Sequence, residues 1–304
     1  MLKPLNLSPN GPVVSRLVYG TWRLLADPAL ATPQAIARRL ELCVDLGITT
    51  LDTAEIYGGY DVEERIGQAL ALAPHLKQKL QIITKFGIYV PHPRHPDRKV
   101  AFYDASAERV VKSTEKSLRL LGVDALDVLL VHRPDWFTAA QDTAQGLEQV
   151  ISAGKVRYAG VSNYTVSQFD LLQSCLSQPL VTNQVELNLL AMGAMYDGTL
   201  DQCQQLRIHP MAWSPLGGGR LLNSDDPAAV RVRALCQSLR ETYGGASVST
   251  VAHAWVMAHP SGCVPVIGTN KEDRLRELVA ASDLKMDRRD WYALWEAAQG
   301  HKIP

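Results

Sequence analysis

The chain has 304 residues, 46% of them hydrophobic and 20% charged, with 31 basic and 31 acidic residues, no formal net charge and a pI near 7.1. That is an ordinary composition for a globular chain with ample core material, and it lacks the basic excess that a nucleic-acid or lipid-surface partner would require. The five cysteines are dispersed without zinc or redox spacing, and no export signal or run of about 18 apolar residues occurs, so the expectation is a reduced, cytoplasmic protein without a metal site.

Short β-branched runs alternate along the chain with longer stretches of helical period. Strands are predicted at residues 16–19, 48–51, 80–84, 125–131, 156–161, 180–186, 209–213 and 264–267. The first seven are followed by predicted helices at 32–46, 62–71, 106–121, 139–153, 166–176, 198–206, and then two together, 228–241 and 247–258. Helices at 271–281 and 288–298 close the chain. Eight such units define an α/β fold, a (β/α)8 barrel with extra C-terminal helices, and no linker divides the chain, so residues 1–304 read as a single domain. The longest irregular stretch is 86–104, where Pro91, Pro93 and Pro96 alternate with His92 and His95; it reads as a solvated loop or a substrate gate. No nearby Cys or carboxylate pattern completes a metal site around the two histidines.

Four polar residues stand at or just past the ends of three strands: Asp52 and Tyr57, Lys85, and His132. Parallel strands of one barrel would bring them to one rim, where catalytic groups of such folds gather. A phenol titrates near ~10 and donates a proton more readily as that value falls toward neutrality. An ammonium about 4 Å away contributes roughly 4 kcal/mol at an effective dielectric of about 20, enough to move a phenol by about three units. Lys85 is placed to be that ammonium, Asp52 to hold it, and His132 to position the oxygen that takes the proton. Residue type and spacing equally admit a structural Asp52–Lys85 pair, a loop aromatic at Tyr57 and a strand-capping His132, and they leave both readings open.

The segment LDTAEIYGGYDVEERIGQAL at 51–70 resembles the aldo/keto reductase signature, with Asp52, Tyr57, Glu64, Gly67 and Leu70 in family positions. GTW at 20–22, ITKFG at 83–87, LLVHRP at 129–134, GKVRYAGVSN at 154–163, NQVE at 183–186 and AWSPLGGGR at 212–220 extend the resemblance in the expected order. The wording at 211–221 and 284–304 is similar to the YdhF-type branch of bacterial members. The resemblance implies an NADPH-dependent reductase of aldehydes or ketones in which Tyr57 donates the proton, Lys85 lowers its pKa, Asp52 orients Lys85 and His132 guides the carbonyl oxygen. It implies that Ser162, Asn163 and Gln184 bind the nicotinamide carboxamide, that Trp213 stacks on the ring, and that the loop holding Ser214, Leu216, Gly218 and Arg220 lies over the pyrophosphate. No G-x-G-x-x-G fingerprint of a Rossmann fold is present.

In IGTNKEDRLREL at 267–278, Thr269 and Glu272 read as a capping box, and a helix start beside a guanidinium suits an anion. By resemblance Thr269, Asn270 and Arg274 face the adenosine 2′-phosphate and Glu277 the adenine, with Gly268 where many relatives have lysine and Leu278 where they often have asparagine. Trp22 and Trp136, with Tyr57 and His132, would wall a pocket for a small carbonyl compound with an apolar body. Two other classes fit parts of this pattern: a nucleotide-binding regulatory protein resembling potassium-channel β subunits, and an aldolase using Lys85 as a Schiff base.

Overall fold

Each apolar run ends up as a short strand because its β-branched side chains pack on both faces, and the eight strands pair in chain order. In the computed structural model, which describes residues 2–93 and 95–303, they are β1 (Val18–Gly20), β2 (Thr50–Asp52), β3 (Gln81–Phe86) and β4 (Leu126–Val131). They continue as β5 (Val156–Ser162), β6 (Asn183–Glu186), β7 (Met211–Trp213) and β8 (Val264–Ile267). All neighbours are parallel, and the barrel closes where Val266 and Ile267 of β8 pair with Val18 and Tyr19 of β1.

The helices of eight residues or more are α1 (Pro33–Asp45), α2 (Val62–Leu72), α3 (Ala107–Leu121), α4 (Ala140–Ser152) and α5 (Val166–Gln173). After them come α6 (Thr199–Leu206), α7 (Pro227–Ser238), α8 (Val248–Ala258), α9 (Glu272–Val279) and α10 (Arg288–Gln299). Thr32, Ser106 and Ser247 accept the first free N–H groups of α1, α3 and α8, and Thr165 with Gln168 forms a complete capping box on α5. The inner faces of the strands supply Ile83, Val128, Leu130, Met211 and Val264, and Leu7 and Val14 join that core from a hairpin pairing Leu5–Asn6 with Val13–Val14. His209 N–H, at the foot of β7, donates to the Leu7 carbonyl at 2.7 Å, so the hairpin stoppers the N-terminal end of the barrel. The outer faces pack on the helices, with Leu51, Ile82 and Leu129 against Ile36, Ile66 and Leu147. The added helix α10 is locked to α8 by Trp255 and Trp291, which stack 5.0 Å apart and donate their indole N–H groups to each other's backbone carbonyls at 3.0 Å.

Behind the site, α2 and α3 approach so closely that a methyl on Gly67 would overlap the Leu120 carbonyl oxygen. Between them and β3 lies Glu63, 2% exposed, accepting hydrogen bonds from Thr84 (2.6 Å) and Ser117 (3.0 Å). Burial pushes its carboxyl up to about 7 against the pull of those two hydroxyls.

Two expectations need correcting. The stretch 86–104 is not wholly irregular: Phe86 ends β3, and Ile88–Tyr89 pairs antiparallel with Phe102–Tyr103, with Tyr89 and Phe102 stacked 4.6 Å apart. Aromatic cross-strand packing makes this hairpin, and the prolines fall at its tip. Nor do Thr269 and Glu272 form a capping box, because α9 starts only at Glu272 and Lys271 precedes it with no side-chain cap. Thr269 Oγ1 instead accepts from Lys271 N–H at 3.3 Å, since Asn270 is drawn down onto the barrel and cannot enter the helix.

Candidate active site

Alternation along a strand decides which side chains reach the barrel interior. On β3, Thr84 points outward to Glu63, so its neighbour Lys85 points inward, where it is 1% exposed. Its ammonium donates to Asp52 Oδ2 at 2.7 Å, to the Thr53 carbonyl at 2.9 Å and to Tyr57 Oη at 3.1 Å. Tyr57 is half-buried in the turn after β2, where Gly58 and Gly59 hold left-handed φ values of 57° and 66° that let the chain fold sharply back. The His132 ring stands edge-on to Tyr57 with centroids 6.0 Å apart, and its backbone N–H bonds the Phe86 carbonyl at 3.0 Å. The four residues expected on one rim therefore form one cluster.

Its electrostatics differ from expectation in one respect. Burial pushes the Tyr57 phenol above its ordinary value; Lys85 pulls it down and Asp52 pushes it up again, and the net shift is upward. Burial also works against the Lys85 charge, but Asp52 and then Tyr57 more than offset it, so the ammonium titrates above its usual range. Burial, Lys85 and Arg133 together hold His132 well below the ordinary imidazole value. At neutral pH the cluster thus holds a protonated phenol, a charged ammonium and a neutral imidazole.

Around it lie the other expected residues. Ser162 donates to the Gln184 carbonyl at 2.8 Å and accepts from Asn163 Nδ2 at 2.8 Å. Trp213 Nε1 donates to Asn163 Oδ1 at 3.0 Å, which fixes the indole at the end of β7. Gln184 Nε2 donates to Asp52 Oδ1 at 2.8 Å, a role residue spacing gave no hint of. Asn163 (φ 60°) and Ser214 (φ 52°) both adopt left-handed backbone, and the Ser214 carbonyl accepts from Asn188 at 2.9 Å. Leu216 is half-buried, and Gly217, Gly218 and Gly219 follow it at φ 58°, 70° and 97°. Arg23, unremarked in the sequence, donates to the Gly218 carbonyl at 2.8 Å and joins the loops after β1 and β7. Arg220 turns to Asp226 at 3.1 Å, while Gly268 and Arg274 are exposed and Glu277 accepts from Thr250 at 3.0 Å. Trp22 and Trp136 stand out from the rim at 61% and 83% exposure.

In the signature segment Glu63 is the buried acid, and Glu64 faces outward beside Gln68. Glu63 shares a helical face with Ile66, Gly67 and Leu70, a spacing that could have identified it. Glu55 was also missed. It is buried and paired with Arg109 and Lys116, and its N–H bonds the Lys85 carbonyl at 3.0 Å, which ties the turn before Tyr57 to α3.

The surface that runs from Trp213 along the glycine loop to the exposed guanidinium of Arg274 fits a dinucleotide: a fixed flat ring, a backbone without side chains, then a helix start without a cap. Among the described residues, no group of three His, Cys, Asp or Glu is disposed to hold a metal, and no helix is long and apolar enough to cross a membrane.

The chain belongs to the aldo/keto reductase family of oxidoreductases, whose family profile matches residues 16–299. It is 42% identical over 306 residues to the oxidoreductase YdhF of Escherichia coli K12, covering 100% of both chains. It is also 42% identical over 290 residues to a 6-dehydroglucose reductase of Agrobacterium fabrum, with 95% and 96% covered. Among solved structures, an aldo-keto reductase from Klebsiella pneumoniae in complex with NADPH matches with a TM-score of 0.78 at 26% identity, over 100% of this chain and 97% of the other.

Proposed function

We propose that the whole chain works as one NADPH-dependent reductase that converts aldehydes or ketones to alcohols, with Tyr57 as general acid. The observation that carries this reading is the 3.1 Å hydrogen bond from the buried Lys85 Nζ to Tyr57 Oη. Bound at the barrel mouth, the nicotinamide would supply the hydride. Tyr57 Oη holds the proton for the substrate oxygen, and the Lys85 ammonium stabilises the phenolate that forms when the proton leaves. Asp52, held by both Lys85 and Gln184, keeps the ammonium charged and oriented. Neutral His132 offers an N–H to the same substrate oxygen.

Ser162, Asn163, Gln184 and Trp213 would hold the nicotinamide, the loop from Ser214 to Arg220 the pyrophosphate, and the segment from Gly268 to Glu277 the adenosine phosphate. A Schiff-base aldolase fits less well, because its lysine must shed a proton and this one is held charged. The Agrobacterium relative is named for a carbonyl sugar, so such sugars belong in the test panel beside simple aldehydes and diketones. NADPH consumption over that panel should fall by at least about a thousandfold in Tyr57→Phe while NADPH binding persists. Undiminished turnover in that variant would remove Tyr57 from its role. Tight binding without turnover by the unaltered chain would favour the regulatory reading.

A further inference from the structure

Arg39 lies on α1, outside every element assigned to the site, yet its guanidinium is 7% exposed and reaches the foot of α9. Nη1 donates to the Asn270 carbonyl, Nη2 to Glu272 Oε1 at 3.4 Å, and Nε has no hydrogen-bond partner among the described residues. The Asn270 side chain is pinned as well: Tyr19 Oη donates to its Oδ1 at 2.8 Å, and its Nδ2 donates to the Arg23 carbonyl at 2.9 Å. In a trans peptide the carbonyl and the following N–H point in opposite directions. With the Asn270 carbonyl turned inward to Arg39, Lys271 N–H is turned the other way, to Thr269 Oγ1.

Charge adds a second consequence. The first turn of α9 carries two acids, Glu272 and Asp273, which oppose any phosphate at the helix start. Arg39 pairs with Glu272 from the buried side and so removes part of that repulsion without occupying the outer surface.

We propose that Arg39 is a positioning residue that sets the preference for a 2′-phosphorylated over an unphosphorylated dinucleotide, by fixing the 270–271 peptide and offsetting part of the Glu272 charge. The inference rests on the reading that Thr269, Asn270 and Arg274 receive the 2′-phosphate. Calorimetric binding of NADP+ and NAD+ to the full chain tests it without reference to turnover. Arg39→Met should raise the Kd for NADP+ roughly tenfold and leave that for NAD+ within about twofold. Adding Glu272→Gln should recover a large part of the loss. Glu272→Gln alone, an exposed change that leaves folding intact, should tighten NADP+ by about threefold and leave NAD+ unmoved. Equal weakening of both nucleotides in Arg39→Met, or no change in the NADP+ to NAD+ ratio in Glu272→Gln, would overturn the assignment. If the unaltered chain bound neither nucleotide, the reductase reading would fail first and carry this one with it.

Discussion

Glu63 offers a quantitative test of the packing behind the site. A glutamate carboxyl free in water titrates near 4.5; in the fold, burial raises Glu63 to about 7. The native state therefore binds the proton more tightly than the unfolded state between those values, and stability falls as pH rises through that window. Below 4.5 the carboxyl is neutral in both states and costs nothing; above about 7 the full penalty is present. A shift of about 2.5 units at ~1.36 kcal/mol each corresponds to roughly 3 kcal/mol. Glu63→Gln keeps the shape and a hydrogen-bonding partner for Thr84 and Ser117 and cannot ionise. Urea unfolding of both proteins at pH 4.5 and 8.5 isolates the effect, because every other titrating group cancels in the difference. The variant should gain about 3 kcal/mol on the natural chain between the two pH values. A difference that does not change with pH would show that Glu63 is ionised in the fold and that the two hydroxyls outweigh its burial.

Gly67→Ala should cost about 3 kcal/mol or more, because the added methyl has to separate α2 from α3; an unchanged melting temperature would contradict the contact with Leu120. With His132 held well below its ordinary value, kcat/KM should show no ionisation between pH 6 and 8 that disappears in His132→Gln; finding one would mean that the imidazole is charged in the free enzyme. Arg274→Ala should weaken NADPH at least about tenfold more than NADH, and equal losses in the two Kd values would remove Arg274 from the phosphate.

The barrel was legible because nearly every strand is an apolar run of the right length followed by a helical period; β6, Asn-Gln-Val-Glu at 183–186, is the polar exception and was found from the segment 180–182 before it. The clustering of Asp52, Tyr57, Lys85 and His132 was legible because each stands at the end of such a run or in the turn after it. Elements that escaped are those with little local signal: a hairpin whose strands are two residues each has no period to detect. The start of α9 was misplaced because tertiary bonds to Asn270 overrode a local capping pattern. The partnership of Gln184 with Asp52 joins β6 to β2 across the barrel, and only closure of the sheet brings them together. Tyr57 shows a further limit, since a lysine nearby in sequence logic argued for a lowered pKa while the depth of burial, which belongs to the fold, reversed the sign.

The pairing of β8 with β1 joins opposite ends of the chain, and this has a consequence for biosynthesis. While the ribosome is still adding residues up to Ile267, β1 has a partner on one side only, and its other edge stays open until that last strand has been made. An open parallel edge will accept a foreign strand, so the nascent chain is most exposed to association just before its last strand emerges. A chain released after Trp213 has no strand with which to close the gap. Its β1 and β7 edges should be recognised by chaperones and proteases as unfinished.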